Sequence, residues 1–150
     1  MSSTDARALL REASLRVTEP RVAVVEALEG HPHGSADELY SAVARVLPTT
    51  SKQAVYNVLH DLADHGLARR IEPGDHPARY ELRVGDNHHH VVCRGCGVIA
   101  DVDCVVGHAP CLTPSVDHGF AVVEAEVVFW GLCQACTRAR EATPEPSPAI

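Results

Sequence analysis

Cys93-Arg94-Gly95-Cys96 and Cys133-Gln134-Ala135-Cys136 are two cysteine pairs with the same two-residue spacer. That spacer lets both sulfurs of a pair reach one ion. Two such pairs complete the tetrahedral four-thiolate shell of a structural Zn2+ site, closed to substrate. Four buried thiols, or a redox-active cysteine pair, are the other chemistries open to these residues. The pairs are separated by residues 97–132, further than in a compact zinc ribbon, so closing them would shape a whole domain. Cys104 and Cys111 stand outside the pattern and read as small buried apolar residues or as a redox pair.

A softer set of ligands runs into the first pair: Asn87-His88-His89-His90-Val91-Val92-Cys93. On a strand alternate residues share a face, so His88 and His90 point one way and His89 the other. With His33 and the carboxylates Glu81, Asp101 and Asp103 they offer mixed nitrogen and oxygen ligation. That suits Fe2+, Mn2+ or a second Zn2+. Three adjacent histidines in a loop can equally form a solvated polar turn; their place beside the cysteine pair favours metal. Glu81 ends one run of elements and His88 begins the next. An ion held by both would tie two domains and shift their arrangement by its differential affinity.

The elements that must position these residues fall into two groups. Residues 4–14 read as a short helix with Ala6, Leu9, Leu10 and Ala13 on one side. Thr18-Glu19-Pro20 opens a second helix that stops at Gly30, with His31–Gly34 as a loop. Ser35-Ala36-Asp37-Glu38 is a capping box for a third helix ending at Pro48. Thr50 or Ser51 caps a fourth, carrying Val55, Val58, Leu59 and Leu62 and closing at Gly66. The period then changes to two strands, 67–71 and 78–82, joined by the turn Pro73-Gly74-Asp75. Helices followed by a β-hairpin are the order of a winged helix-turn-helix, though a generic helical domain with a hairpin has the same order. The domains read as 1–82, a polar hinge 83–87, a zinc-stapled α/β domain 88–140, and a proline-rich disordered tail 141–150. Within 88–140 the expected order is strand 88–92, knuckle, strand 98–102, strand 120–130, second knuckle and a last helical turn.

Composition narrows the function. The 150 residues are 45% hydrophobic but only 4% aromatic, so the cores must be aliphatic and small, where a structural metal helps most. The net charge is −7, so any DNA binding must rest on a few placed cations and not on bulk charge. No apolar run approaches a membrane span. The N-terminus lacks the pattern of a secretory signal, and six cysteines then fit a reducing, cytoplasmic setting.

Taken together, Leu15-Arg16-Val17-Thr18-x-Pro20-Arg21, His33-Gly-Ser-Ala-Asp-Glu-Leu-Tyr40, Ser51-x-x-x-Val55-Tyr56, Arg79-Tyr80-Glu81, His88-x-His90-x-x-Cys93-x-x-Cys96-Gly97 and Cys133-x-x-Cys136 resemble the ferric uptake regulator family of bacterial metal-dependent repressors. The resemblance spans roughly residues 7–137. It implies a winged-helix DNA-binding domain, a hinge and an α/β dimerisation domain with structural Zn2+. It implies that Cys93, Cys96, Cys133 and Cys136 hold that zinc. The hinge-spanning regulatory Fe2+ or Mn2+ site would be His33, Glu81, His88, His90 and Asp101. Aspartate at 101 resembles the peroxide-sensing branch, whose bound Fe2+ reacts with H2O2 and leads to oxidation of ligand histidines, here His33 and His88. The wording is most similar to actinobacterial regulators of catalase-peroxidase, so a catalase-type promoter is the implied target.

Two departures bear on function. A further metal site found in many members is reduced here to His89, His108 and Glu124 (or Glu126). Asn57 stands where a basic residue is common, and asparagine can read adenine N6 and N7. Major-groove contacts are expected from Lys52, Gln53, Tyr56 and Asn57, and a minor-groove or backbone contact from Arg16. Arg21, Arg69, Arg70 and Arg79 are weaker candidates. The implied partners are double-stranded operator DNA and a second copy of the chain, with no membrane and no small-molecule substrate. A repressor sensing Fe2+ or Zn2+ level without peroxide is the alternative. A zinc-stapled protein-binding adaptor would leave the 51–57 pattern and Arg16 unexplained. A zinc hydrolase or deaminase would need an open zinc position and a paired general base, which the saturated four-cysteine set does not offer.

Overall fold

The computed structural model describes residues 2–83, 88–103, 114–123 and 125–143. Cys104, His108, Cys111, Glu124, residues 84–87 of the expected hinge and residues 144–150 of the expected tail lie outside the described residues. The chain divides into two compact units. One comprises residues 1–72 and 77–85; the other comprises 73–76 and 86–150.

The first unit is helical. Helices α1 (Ser3–Glu12), α2 (Glu19–Gly30), α3 (Ala36–Val46) and α4 (Lys52–Asp64) are joined by a small sheet of β1 (Gly34–Ser35), β2 (Ala68–Ile71) and β3 (Arg79–Leu82). Local chemistry sets the helix starts. Ser2 with Asp5 and Ser35 with Glu38 form full capping boxes, and Ser51, not Thr50, caps α4 by accepting from the Ala54 N–H. Glu38 is correspondingly held below the usual carboxylate range, first by the Ser35 backbone N–H and then by its hydroxyl. Gly66, at φ +72°, makes the left-handed exit from α4 that a side chain would oppose. The core is aliphatic as expected: Leu10, Val24, Val25, Leu28, Leu39, Val43, Val55, Leu59 and Leu62 are buried, with Tyr80 as the aromatic exception.

The sheet order is β1-β3-β2, all antiparallel. Strand β1 corrects the expectation of a plain loop before α3: Gly34 pairs with Tyr80 and Ser35 with Arg79. Two residues carry no readable period, so only the tertiary pairing makes them a strand.

The second unit has a three-stranded sheet of order β5-β4-β6, made from β4 (His88–Cys93), β5 (Ile99–Asp103) and β6 (Val128–Gly131), followed by α5 (Gln134–Glu141). Strand β4 is antiparallel to β5 and parallel to β6. The expected strand 120–130 is shorter: among the described residues strand geometry begins at Val128. Ladder pairing with β4 is confined to 128–131. The last helical turn is a full helix that runs to Glu141.

Candidate metal centres and DNA-reading helix

In the second unit β4 delivers Cys93, the knuckle after it delivers Cys96, and the N-terminus of α5 delivers Cys133 and Cys136. The four sulfurs lie within 4.8 Å of one another. Cys96 Sγ and Cys133 Sγ are 3.8 Å apart. Four Zn–S bonds of about 2.3 Å in a tetrahedron place sulfurs about 3.8 Å apart, so these residues fit zinc as they stand.

Backbone groups prepare the site. The Cys133 N–H donates to Cys93 Sγ at 3.2 Å. That bond, with others from the knuckle backbone, lowers the Cys93 thiol to about 6. Hydrogen bonds to the sulfurs of Cys133, Cys93 and Cys96, in that order, push Cys136 up to about 12 by favouring its protonated form. The knuckle is pinned by the Arg94 N–H to Gly131 carbonyl bond at 2.8 Å. The Arg94 guanidinium lies 4.8 Å from the centre of the Trp130 ring, a cation–π contact.

The two knuckle glycines have different reasons. Gly97 sits at φ +74° and turns the chain into β5. Gly95 is needed for space: a Cβ there would lie 2.9 Å from Cys136 Sγ and 3.2 Å from its Cβ. Gly95→Ala is therefore expected to weaken zinc binding roughly 10- to 100-fold, the scale of outer-sphere changes at metal sites. Competition against a chromogenic chelator measures it, and unchanged affinity would show that the knuckle can relax.

The mixed-ligand residues form one group in each unit. In the first, His33 Nε2 is 3.1 Å from Glu81 Oε2. The β1–β3 register explains this: with Gly34 opposite Tyr80, His33 arrives beside Glu81. His33 holds a left-handed backbone, φ +63°, uncommon for a residue with a side chain. Gly34 behind it has no room for a Cβ, which would lie 3.0 Å from the His31 carbonyl oxygen. Glu81 is 5% exposed, and Arg69 Nη1 approaches its other oxygen at 3.9 Å.

In the second unit His90 is opposite Asp101 in the β4–β5 ladder. His90 Nε2 and His88 Nε2 lie 3.5 and 3.8 Å from Asp101 Oδ1. The two imidazoles meet edge to face, with centroids 5.0 Å apart. Bonds of about 2.1 Å to one ion bring neighbouring donors to about 3.0–3.4 Å, so a small contraction would make these three atoms ligands. Of the reduced further site, His89, opposite Val102, and the alternative Glu126, which is exposed, are among the described residues.

Helix α4 buries Val55, Val58, Leu59 and Leu62 and leaves Lys52, Gln53 and Asn57 exposed, with Tyr56 half-buried beside them. Lys52 forms an ion pair with Asp37 of α3. Gln53 Nε2 donates to Asn57 Oδ1 at 2.9 Å. Arg16 is exposed.

The weaker DNA candidates are engaged within the unit: Arg69 approaches Glu81, Arg70 pairs with Glu72, and Arg79 with Glu38 at 2.9 Å. Arg21 is a brace that sequence reasoning missed. One nitrogen donates to the Arg16 carbonyl at 2.9 Å and another to Asp61 of α4 at 2.8 Å. Charge alone could not pair residues forty positions apart.

Comparison with known proteins agrees with this architecture. Residues 12–129 match the profile of the ferric uptake regulator family. Over 128 residues the chain is 61% identical to the transcriptional regulator FurA of Mycobacterium tuberculosis, covering 85% of this chain and 87% of that one. It is 32% identical to the peroxide-responsive repressor PerR of Staphylococcus epidermidis over 135 residues, 86% of each chain. Among solved structures, the ferric uptake regulator of Pseudomonas aeruginosa with manganese superposes with a TM-score of 0.67 at 26% identity, covering 86% of this chain and 98% of that one.

Proposed function

Because the chain belongs to the ferric uptake regulator family, and so is a metal-responsive transcriptional regulator and not an enzyme, we propose that it is a homodimeric, zinc-stapled repressor that holds operator DNA when Fe2+ is bound and releases it on oxidation by peroxide. The observation that carries this reading is a mixed donor group in each unit: His33 with Glu81 in the first, His88 and His90 around Asp101 in the second. An ion taking all five would favour one arrangement of the DNA-binding unit, and its loss would release that arrangement. His33, His88 and His90 with Glu81 and Asp101 would hold Fe2+, which would supply the electrons that reduce H2O2, with the imidazoles of His33 and His88 as the nearest groups to be oxidised. The chain's part is to hold them there. The strained His33 backbone aims one imidazole at Glu81, and the β4 ladder holds His88 and His90 toward Asp101.

Exposed Val98, Phe129, Trp130 and Leu132 on the second unit support a second copy as its partner. Among the described residues no helix is long and apolar enough to cross a membrane, and we place the protein in the cytoplasm with the operator.

Of the two relatives above, the one named for its peroxide response is the less similar, at 32% identity against 61%, so the alternative is a repressor of the same build that senses Fe2+ or Zn2+ level without peroxide. A mobility-shift assay on the gene's own upstream DNA separates the two. Complexes formed with Fe2+ are expected to dissociate after H2O2, and those formed with Mn2+ to persist. Equal persistence would select the alternative, and no metal dependence would remove both. Asp101→Glu, which lengthens the carboxylate arm, is expected to keep Fe2+-dependent binding and blunt peroxide release about tenfold or more in rate. Release as fast as wild type would show that the aspartate does not set peroxide reactivity.

A further inference from the structure

Gln53 and Asn57 are four residues apart on the exposed face of α4, and their side-chain amides are joined by a hydrogen bond from Gln53 Nε2 to Asn57 Oδ1 at 2.9 Å. This bears on how Asn57 can read DNA. An asparagine that recognises adenine alone uses its own carbonyl and its own amide nitrogen. Here one lone pair of Asn57 Oδ1 is committed to Gln53. The outer ends of the pair are the Gln53 carbonyl, an acceptor, and the Asn57 amide nitrogen, a donor. Reversing both amides exchanges which residue carries which group, but one donor and one acceptor still face outward.

We propose that Gln53 and Asn57 act as a single reader of one adenine in the major groove, the acceptor taking the N6 hydrogen and the donor reaching N7. The inference rests on the reading above that α4 enters the major groove. Adenine presents a donor and an acceptor on its major-groove edge, whereas guanine presents two acceptors, N7 and O6. The linked pair therefore matches adenine and leaves its own acceptor facing guanine O6, an uncompensated repulsion. Gln53 becomes a specificity-determining residue equal to Asn57, not a bystander. The hydrogen bond also fixes both side chains before DNA arrives, which lowers the ordering cost of binding. An i,i+4 amide pair that only stabilises the helix has a different signature, because it would weaken binding to every sequence alike.

The test uses the full-length, zinc-replete chain loaded with Mn2+. Preferred duplexes are selected from a random library, and affinities are then measured by fluorescence anisotropy with single adenines replaced by guanine or by 7-deazaadenine, which lacks the N7 acceptor. For the wild type, one adenine is expected at which either replacement costs roughly tenfold or more. Gln53→Ala and Asn57→Ala should each remove that discrimination, and the double variant should be no worse than either. Asn57→Arg, with five donors and no acceptor, should turn the preference toward guanine. Gln53→Ala binding that falls equally for the adenine and guanine duplexes, or that keeps full adenine preference, would overturn the proposal and leave the repressor reading standing. Failure of the wild type to select any duplex in a Mn2+-dependent way would overturn the repressor reading, and this inference with it.

Discussion

His88→Ala is expected to abolish metal-stimulated operator binding while leaving a folded, zinc-loaded dimer. His88 adds little to the core; it is half-buried at the start of β4, with its ring against His90 and its Nε2 near Asp101. Alanine keeps the strand and removes one nitrogen donor from a mixed site. The size of the effect follows from what the ion must do. Moving a two-state equilibrium from almost wholly one arrangement to almost wholly the other needs about 10⁴-fold differential affinity, or about 5.5 kcal/mol. A site short of one ligand cannot supply that. Operator affinity should then fall toward the non-specific level, a loss on the order of 10³-fold. Titrating operator with Mn2+ measures the effect, with circular dichroism and size-exclusion chromatography as controls. Metal-stimulated binding within twofold of wild type would remove His88 from the regulatory site.

The second large effect is expected from Cys96→Ser, in a different unit and by a different route. The N-terminal unit has a continuous buried cluster running from Ala6 to Tyr80. In the second unit the buried hydrophobic residues among those described are Val92, Cys93 and Ile99, and α5 buries none. With so little apolar burial among its described residues, this unit is expected to depend on its metal. Structural zinc contributes roughly 10–16 kcal/mol in small domains, as much as the whole stability of an ordinary one. Serine leaves three thiolates and a poor fourth ligand. The expected result is zinc loss together with melting of β4–β6 and α5, loss of the dimer, and persistence of the helical signal of α1 to α4. Heating the apo and zinc-loaded forms while following far-ultraviolet circular dichroism would resolve the two units. A zinc-replete Cys96→Ser chain with wild-type unfolding would contradict the staple.

The two experiments fail independently. On the proposed reading, His88 acts through the reversible ion and Cys96 through the structural zinc. Loss of operator binding in either variant has a distinct companion reading: intact zinc and fold in the first, lost zinc and partial unfolding in the second.

Much of the fold was legible because it is locally encoded. Capping boxes are three-residue reciprocal hydrogen bonds, so Ser35 and Glu38 mark the start of α3 without reference to anything distant. The aliphatic spacing of Val55, Val58, Leu59 and Leu62 names the buried face of α4, and by subtraction the exposed face with Gln53 and Asn57. The cysteine spacing alone pointed to the zinc-binding residues, since a two-residue spacer is a distance constraint written in sequence. Strand alternation placed His88 and His90 on one face. Family resemblance then added Asp101 to their set, a choice that periodicity alone had left open between Asp101 and Asp103.

What only the tertiary structure decided is non-local. Strand β1 exists because Gly34 and Ser35 find Tyr80 and Arg79. That pairing brings His33 to Glu81 and holds its backbone in the left-handed region. Strand β6 is short because its ladder with β4 sets its length, not its apolar content. Gly95 is constrained by the Cys136 sulfur, which would lie 2.9 Å from a Cβ there. Arg21, Arg69, Arg70 and Arg79 stand beside the carboxylates of Asp61, Glu81, Glu72 and Glu38, because ion pairing is decided by proximity and composition carries none. The cysteine spacing and strand alternation singled out the four cysteines and the His88–His90 pair as candidate metal ligands. The fold decided how tightly each is held, and that the amides of Gln53 and Asn57 are joined before DNA arrives.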